Sequence, residues 1–554
     1  MSQFHRRRTT RSSHTSEYDS AQSHILHLSV PTAVIVKVKQ KASLATGFIN
    51  IYEALTPRQI GIITIGSAIG TGLMIGTGRA LSLSGPAAIM ISYSVVGFTV
   101  YLVLLALGEV AAWLQKPCTV ADHALRFSDP ALGFSLGWIY WLKYAIITPN
   151  QLTAAALVIQ YWLDAQRVNA GVWIAVFLFI IIGLNCLHHG LPSYVEFYVA
   201  SFKLLVMFAL MVTSLVIALG GADHDRRGFR YWQQGSAFGN MSANRNHILE
   251  KFFLTGRTMS SATFAYIGSE RSGILYPNVQ QAISRSIKHT FYRIFVFHLV
   301  AITLLGMIVP PALAFSTTKR SPASPFVSAL LQAHFAVVPD ILNGCILLFV
   351  LSIANFDLYL ATKAMCDLSL KHRAPSFLSH VNHRGIPVYA LATSVCMSMI
   401  AFFNVIFDSS MVFGYFMNTV TMLGLLTWVS ILITHVSFVR ARRHQGISEE
   451  LLIFRARFGL VGTWSALVLC LFIAATMTFD AFKIVNGEAK FNYRSVIASY
   501  AAIPLFLSLI AGHKLMKKSK WITPGDVDMW TGRNSPAVEL AEVQDAARVS
   551  THRA

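Results

Sequence analysis

The side chains of this sequence that could do chemistry stand in apolar company. Glu270 lies in TFAYIGSERSGILYP, Lys203 in VEFYVASFKLL and Asp357 in SIANFDLY. An ionisable group in such a stretch is costly to desolvate, and where it occurs it serves a ligand, a proton or a gate. Structural roles compete with that reading. Glu270 could pair with Arg271, and Lys203, seven residues after Glu196, could send its ammonium to an interface along its stem. A Lys203–Asp357 pair is a further expectation. Glu109, near the end of its own apolar run, reads as structural, and the histidines of the apolar runs read as packing.

Glycines mark where these groups would act. The first apolar run reads IGIITIGSAIGTGLMIGTG, with Gly66, Gly70, Gly72, Gly76 and Gly78. Each costs a helix about 1 kcal/mol against alanine, so the run is a place where a helix opens. Close packing through Gly66-xxx-Gly70 and Gly72-xxx-Gly76 is the other use of such spacing. A phosphate loop fits poorly, because no strand precedes the glycines and their spacing is wrong. Ile267-Gly268-Ser269 repeats Ile65-Gly66-Ser67 in a later run. The two runs open two candidate five-helix halves, 59–219 and 252–438. Glycine-interrupted runs at matching places in two halves point to a transporter site.

Hydrogen-bond accounting gives that site a chemistry. A helix interrupted within hydrocarbon leaves N–H and C=O groups that each cost several kcal/mol unless they face protein, water or a ligand. N–H groups at a half-helix start suit an anion, and opposing carbonyls suit a cation. Two such breaks side by side suit a zwitterion, and a free amino acid is one.

The elements that would hold these groups are membrane helices. Of 554 residues, 54% are hydrophobic and 13% charged, against about 25% charged in a soluble domain. Hydrocarbon must therefore cover most of the outside. Hydropathy suggests twelve spans, near 59–80, 87–112, 133–161, 171–187, 196–219, 252–275, 290–309, 340–362, 387–407, 412–438, 463–482 and 495–515. The expected fold class is an all-α integral membrane protein. Residues 1–57 are expected to be a disordered cytosolic tail and 516–554 a second cytosolic tail. The apolar piece 25–36 is too short to span. No cleavable leader is visible, since Arg6-Arg7-Arg8 precedes a polar stretch.

The net charge of +20 sits in loops and tails, for example at Arg285, Lys288, Lys371, Arg373, Arg440, Arg442, Lys514 and Lys517. There it reads as a topology signal and a contact to anionic lipid headgroups, not as a nucleic-acid surface. The distribution favours both termini in the cytosol. The six cysteines are scattered without CxxC or metal spacing, so neither a disulfide framework, a metal nor a cofactor is expected.

Longer stretches resemble the fungal amino acid permeases of the amino acid–polyamine–organocation superfamily. They are IGSAIGTGLMIGTGRAL with Gly85-Pro86 behind it, ALGEVAAWL, DPALGFSLGWIYWLKY, LTAAALVIQYW, VEFYVASFKLL, FAYIGSE, HRAPSFLSHVNHRGIPVYAL, LLTWVSILITHVSF and IPLFLSLIAGHKLMKKSKWITP. The resemblance runs from about Pro57 to Arg533. It implies a LeuT-like fold of five-plus-five inverted repeats with two further helices at 463–515, and proton-coupled amino acid uptake at the plasma membrane. It implies that Ser67, Ala68, Thr71 and Gly72 meet the substrate's α-carboxylate and α-amino group. Phe264, Ala265, Ser269 and Glu270 would line the opposite wall, and Lys203 would take the place of a bound sodium ion. Three positions depart from the family's pattern. Gln151, on the substrate wall, stands where many relatives have glutamate, and Asp357, on the proton path, where small neutral residues are usual. PNVQQAISR replaces an NPRK-like segment. The first two bear on substrate charge and on the route of the proton.

The function expected is secondary active transport of an amino acid by alternating access around spans 1, 6, 3, 8 and 10. A non-transporting amino acid sensor on the same scaffold is the runner-up, though a sensor would be expected to carry larger cytosolic extensions than these tails. A membrane-embedded enzyme lacks a motif, since no GxSxG, HExxH or clustered acid pair falls in the spans.

Overall fold

The computed structural model describes residues 57–531, except 115–117, 164–167, 188–190, 223, 234–236, 239–246, 271–279, 312–313, 315–322, 478, 480–481 and 486–487. The expected N-terminal tail with its apolar piece 25–36, most of the C-terminal tail, and Arg271 lie outside the described residues.

Helix α1 (Pro57–Ala68) gives way at Ile69–Gly70. A π-helical segment follows over Gly72–Gly76, and α2 (Thr77–Trp113) continues from it. Within α2, Gly85 adopts φ 78° just ahead of Pro86. Positive φ is cheap only for glycine, and proline has no N–H for the preceding turn. The apolar stretch Gly61–Trp113 has 53 residues and would measure about 80 Å as a straight helix. Hydrocarbon is only about 30 Å thick, so this stretch is longer than one crossing requires, and the Gly85–Pro86 corner divides it.

Short α3 (Val120–Phe127) is opened by a capping box between Thr119 and Asp122. In α4 (Pro130–Ile159), Asp129 caps the Ala131 N–H and Pro130 takes the first turn. Then come α5 (Ala170–Leu187), α6 (Leu191–Ala218) and α7 (His247–Tyr266), which stops in a turn over 267–270 with Gly268 at φ 99°. The second part continues with α8 (Gln280–Ile308), α9 (Pro325–Gln332), α10 (Val338–Leu370) and α11 (Val388–Ser398), extended by a 3₁₀ turn over Met399–Val405. It closes with α12 (Ser409–His444), α13 (Gly459–Thr476), α14 (Tyr493–Tyr500) and α15 (Ala502–Lys517).

Helices α2, α4, α10 and α12 form the interior, with α7 packed on α2 and with α10 and α12 on α4. Outer helices turn large apolar side chains outward, among them Phe179, Leu205, Val461 and Leu471. Water would penalise such a surface, and lipid does not. Among the described residues, eight stretches are long and apolar enough to cross a membrane. They do not include α4 and α7, helices of 30 and 20 residues that carry Lys143, Asn150 and Gln151, and Glu250, Lys251 and Arg257. These polar side chains of α4 are buried among its neighbours, whereas the first turns of α7 are exposed.

One element departs from an all-α chain. Strands β1 (Phe482–Val485) and β2 (Glu488–Phe491) pair antiparallel, with Phe482 opposite Phe491. The expected span 463–482 accordingly stops at Thr476. The sequence VNGE holds an Asn-Gly hairpin signal that apolar run length alone conceals.

The segment after α15 is packed rather than loose. Val527 and Met529 are buried, the Trp113 indole donates to the Met529 carbonyl at 2.8 Å, and Gln445 donates to that of Val527 at 2.7 Å. On the loop after α6, the Arg227 guanidinium donates to the Ile308 carbonyl at 3.0 Å, tying that loop to the end of α8.

Candidate functional site

Both expected breaks are present, and they lie against each other. At the first, the Gly70 carbonyl accepts from Leu73 at 3.1 Å and from Met74 at 2.9 Å, restarting a helix that Ile69–Gly70 had interrupted. The first N–H groups of a restarted helix have no intrahelical acceptor, which leaves those of Thr71 and Gly72 directed at the break. A Cβ on Gly72 would stand 2.6 Å from Ala265 Cα, and one on Gly66 would collide with Ala200 of α6. Both uses of glycine coexist here: Gly70 opens the helix, while Gly66 and Gly72 seat it against α6 and α7.

At the second break, α7 ends at Tyr266 and the chain turns at Gly268. The Ser269 N–H donates to the Tyr266 carbonyl at 3.2 Å. The Gly268 N–H donates to Glu270 Oε2 at 2.9 Å, and the Trp428 indole of α12 approaches the same oxygen at 3.5 Å. Glu270 Oε1 receives the Lys143 ammonium of α4 at 2.6 Å, and both side chains are fully buried. The Lys143 Nζ also lies over the rings of Tyr140, at 4.3 Å, and Tyr144, at 4.7 Å. Glu270 therefore has a buried cation from another helix.

The remaining expected residues fall around these breaks. Ala68, Thr71, Gly72, Phe264, Ala265 and Ser269 are buried, and Ser67 is half-buried. Phe264 meets Phe413 of α12 edge-on at 6.3 Å. Gln151 is buried on α4. Its Oε1, both amide atoms of Asn150 and the Ser67 hydroxyl have no hydrogen-bond partner among the described residues. Such groups are costly to bury unless something answers them.

Lys203 neither reaches an interface nor pairs with Asp357. It is fully buried, one turn beyond Ala200, and its ammonium bonds Glu196 Oε1 at 2.9 Å within α6. Glu196 Oε2 accepts from the Ser352 hydroxyl of α10. Lysine and glutamate side chains together are long enough to bridge two helical turns, so the carboxylate on its own helix takes the ammonium. Asp357 is buried in α10, two residues after Asn355, which accepts from Asn185 of α5 at 2.9 Å. Glu109, for which a structural role is expected, accepts from the Ala456 N–H at 2.7 Å beside His435.

Two residues escaped the sequence reading. One is Lys143, a lysine inside the third apolar run. The other is His298 of α8, which is fully buried. Its ring stacks on Tyr266 at 4.7 Å, Nδ1 lies 2.8 Å from the Ile294 carbonyl, and the carbonyls of Ala68 and Ala265 face it. Those carbonyls belong to the last turns before the two breaks. The signal for Lys143 was present, since a buried carboxylate at 270 requires a cation.

Outside the spans, a charged cluster ties α3 to the end of α10. Asp122 bonds Lys371 and, at 2.9 Å, Arg373. Burial pushes its carboxyl up, but the Lys371 charge and the Lys371 and Thr119 hydrogen bonds outweigh this and hold it well below the usual carboxylate range. His123 beside it is buried, which lowers its pKa to about 4.

Comparison with known proteins bears on this arrangement. Residues 59–522 match the family model described as amino acid permease. A dicarboxylic amino acid permease of Saccharomyces cerevisiae is 40% identical over 86% of this chain and 79% of its own length. A proline-specific permease of the same yeast is 30% identical, covering 90% and 80%, and a lysine-specific one is 29% identical, covering 85% and 77%.

Proposed function

This chain belongs to the amino acid permease family, and from that premise we propose that it is a secondary active transporter taking up amino acids with protons across the plasma membrane. The observation that carries the proposal is the pair of helix breaks at Gly70 and Gly268, whose segments touch where Gly72 meets Ala265, with a buried ion pair at the second. Bare N–H groups at Thr71 and Gly72 receive the α-carboxylate, and the carbonyls at the ends of α1 and α7 receive the α-amino group. Phe264, Ala265, Ser269, Glu270 and Gln151 line the rest. Lys203 and Asp357 belong to the proton path.

In this reading twelve helices form a LeuT-like pair of inverted five-helix repeats with two helices added. Both termini face the cytosol, lipids coat the outer helices, and access alternates around the breaks. One proton per substrate contributes about 2.3 kcal/mol for each 100 mV of membrane potential. Acidic amino acids are among the substrates. The relative named for dicarboxylic amino acids is consistent with that, and Lys143 supplies a cation to match the extra charge. The relatives are named as permeases, which favours transport over sensing.

The test is uptake of each common amino acid in yeast cells lacking their own permeases. The wild-type chain should accumulate substrate against a gradient, more at acidic external pH. Lys203→Ala should remain at the cell surface and lose accumulation. Undiminished pH-driven accumulation in that variant removes Lys203 from coupling. A wild-type chain that reaches the surface and takes up none of them ends the proposal.

A further inference from the structure

Resting on the reading of the breaks as an amino acid site, we propose that Lys143 and Glu270 form an exchangeable pair. The side-chain carboxylate of an acidic amino acid takes over the Lys143 ammonium while Glu270 accepts a proton.

The pair is built for a change of partner. It joins residues 127 apart in the chain, so no shared backbone holds the two together. Glu270 sits on a non-helical turn set by Gly268, and a turn re-aims a carboxylate with less disruption than a helix would. Its second oxygen is held by the Gly268 N–H and faces the Trp428 indole. Both are donors that a protonated carboxyl can still use through its carbonyl oxygen. The Lys143 ammonium, for its part, lies over two tyrosine rings, which stabilise a cation whichever carboxylate faces it. Seven residues further along the same face of α4, Asn150 has no partner for either amide atom among the described residues. An unanswered polar side chain therefore lies two helical turns from Lys143 on the same helix.

Charge balance supplies the coupling. The buried pair is neutral, and a neutral amino acid leaves it so. An acidic one adds a negative charge to a site without water around it, and that state is strongly disfavoured. One proton taken from the outer solution forms an O–H bond on Glu270 and restores neutrality. The Lys143 ammonium keeps its three hydrogens and only changes acceptor. Other ionisable groups near these helices are engaged or set apart from the exchange. Tyr140 and Tyr144 of α4 face Lys143, and His435 of α12 bonds Thr463 and stands by Glu109. His298 of α8 stacks on Tyr266, and α10 brings Asp357, Tyr359 and Lys363 against α4. The proton on Glu270 is additional to any proton moved through Lys203.

The experiment measures proton and charge movement per substrate in proteoliposomes containing the full chain, with labelled glutamate and labelled glutamine. Glutamate should bring in one proton more than glutamine, with the same net charge moved. Its KM should fall as external pH falls, while that of glutamine stays level. Glu270→Gln should keep glutamate exchange and lose the pH dependence of its KM. Lys143→Met combined with Glu270→Gln, which removes both charges together, should lower the preference for glutamate over glutamine about 100-fold. Equal proton counts for the two substrates, retained pH dependence in Glu270→Gln, or an unchanged preference in the double variant would each overturn the exchange. Should the variants fail to reach the membrane, the wild-type proton count decides. A wild-type chain that carries glutamine but not glutamate defeats this inference alone, whereas one that carries no amino acid defeats the transport reading beneath it.

Discussion

Two lysine–glutamate pairs lie in the interior of this protein, both fully buried, and they are built differently. Lys203 and Glu196 share helix α6, and Ser352 of α10 holds the carboxylate's other oxygen. Lys143 and Glu270 come from α4 and α7, and the glutamate stands on a turn. The first pair is fastened at both ends to regular helix, so its partners stay together when α6 moves as a body. The second bridges two elements and has one end on a turn. Equal burial thus conceals unequal anchoring. The backbone is a turn under Glu270 and a helix under Glu196, and in the proposed exchange only the Lys143–Glu270 pair trades partners.

Lys143→Met tests the difference most severely. Alone, it leaves Glu270 buried without its cation and should lower stability by about 3–5 kcal/mol, read as a fall in the melting temperature of detergent-purified protein. Adding Glu270→Gln should recover most of that loss. A single variant that melts like the wild type would mean that the pair does not hold α4 to α7. Lys203→Ala comes next, at about 2–3 kcal/mol, because Glu196 keeps the Ser352 hydroxyl and can take up a proton. A larger loss here than for Lys143→Met would reverse the comparison.

A pair outside the spans provides a calibration. Asp122→Asn should cost about 1–2 kcal/mol at neutral pH. The Asp122 carboxyl is held below its ordinary value of 3.8, so its stabilisation is present above that pH and disappears as pH falls towards the lowered value. The melting difference between variant and wild type should therefore close in strong acid, and a difference that persists there would assign the effect to packing. Smallest of all, Arg126→Ala removes an ion pair to Asp528 at 3.3 Å whose carboxylate is about half exposed. Its cost should stay below about 1 kcal/mol, seen as a melting shift near the error of the measurement.

The sequence made the breaks legible because glycine acts locally. A run such as IGSAIGTG weakens a helix wherever it stands, and Gly268 needs no distant partner to permit φ 99°. Helix bodies were legible for the same reason, as 171–187 beside Ala170–Leu187 shows. Partners were harder. Glu196 was in view seven residues before Lys203, but the familiar helical spacing is three or four, and Asp357 took its place in the expectation. Lys143 and Glu270 meet only through the packing of two helices far apart in the chain, which periodicity within either one cannot express. His298 went unread because a histidine in an apolar run more often packs than acts. The hairpin at 482–491 was lost in a count of apolar length.

The packed segment beyond α15 has a practical consequence for anyone attaching a reporter to this protein. A fluorescent tag joined after Thr531 would leave Val527 and Met529 seated and the Trp113 indole bonded. The same tag joined at Lys517 would strip that cover away, baring an apolar patch and an unanswered indole N–H at the foot of α2. Poor surface delivery of the shorter fusion would then report the surgery, not the permease.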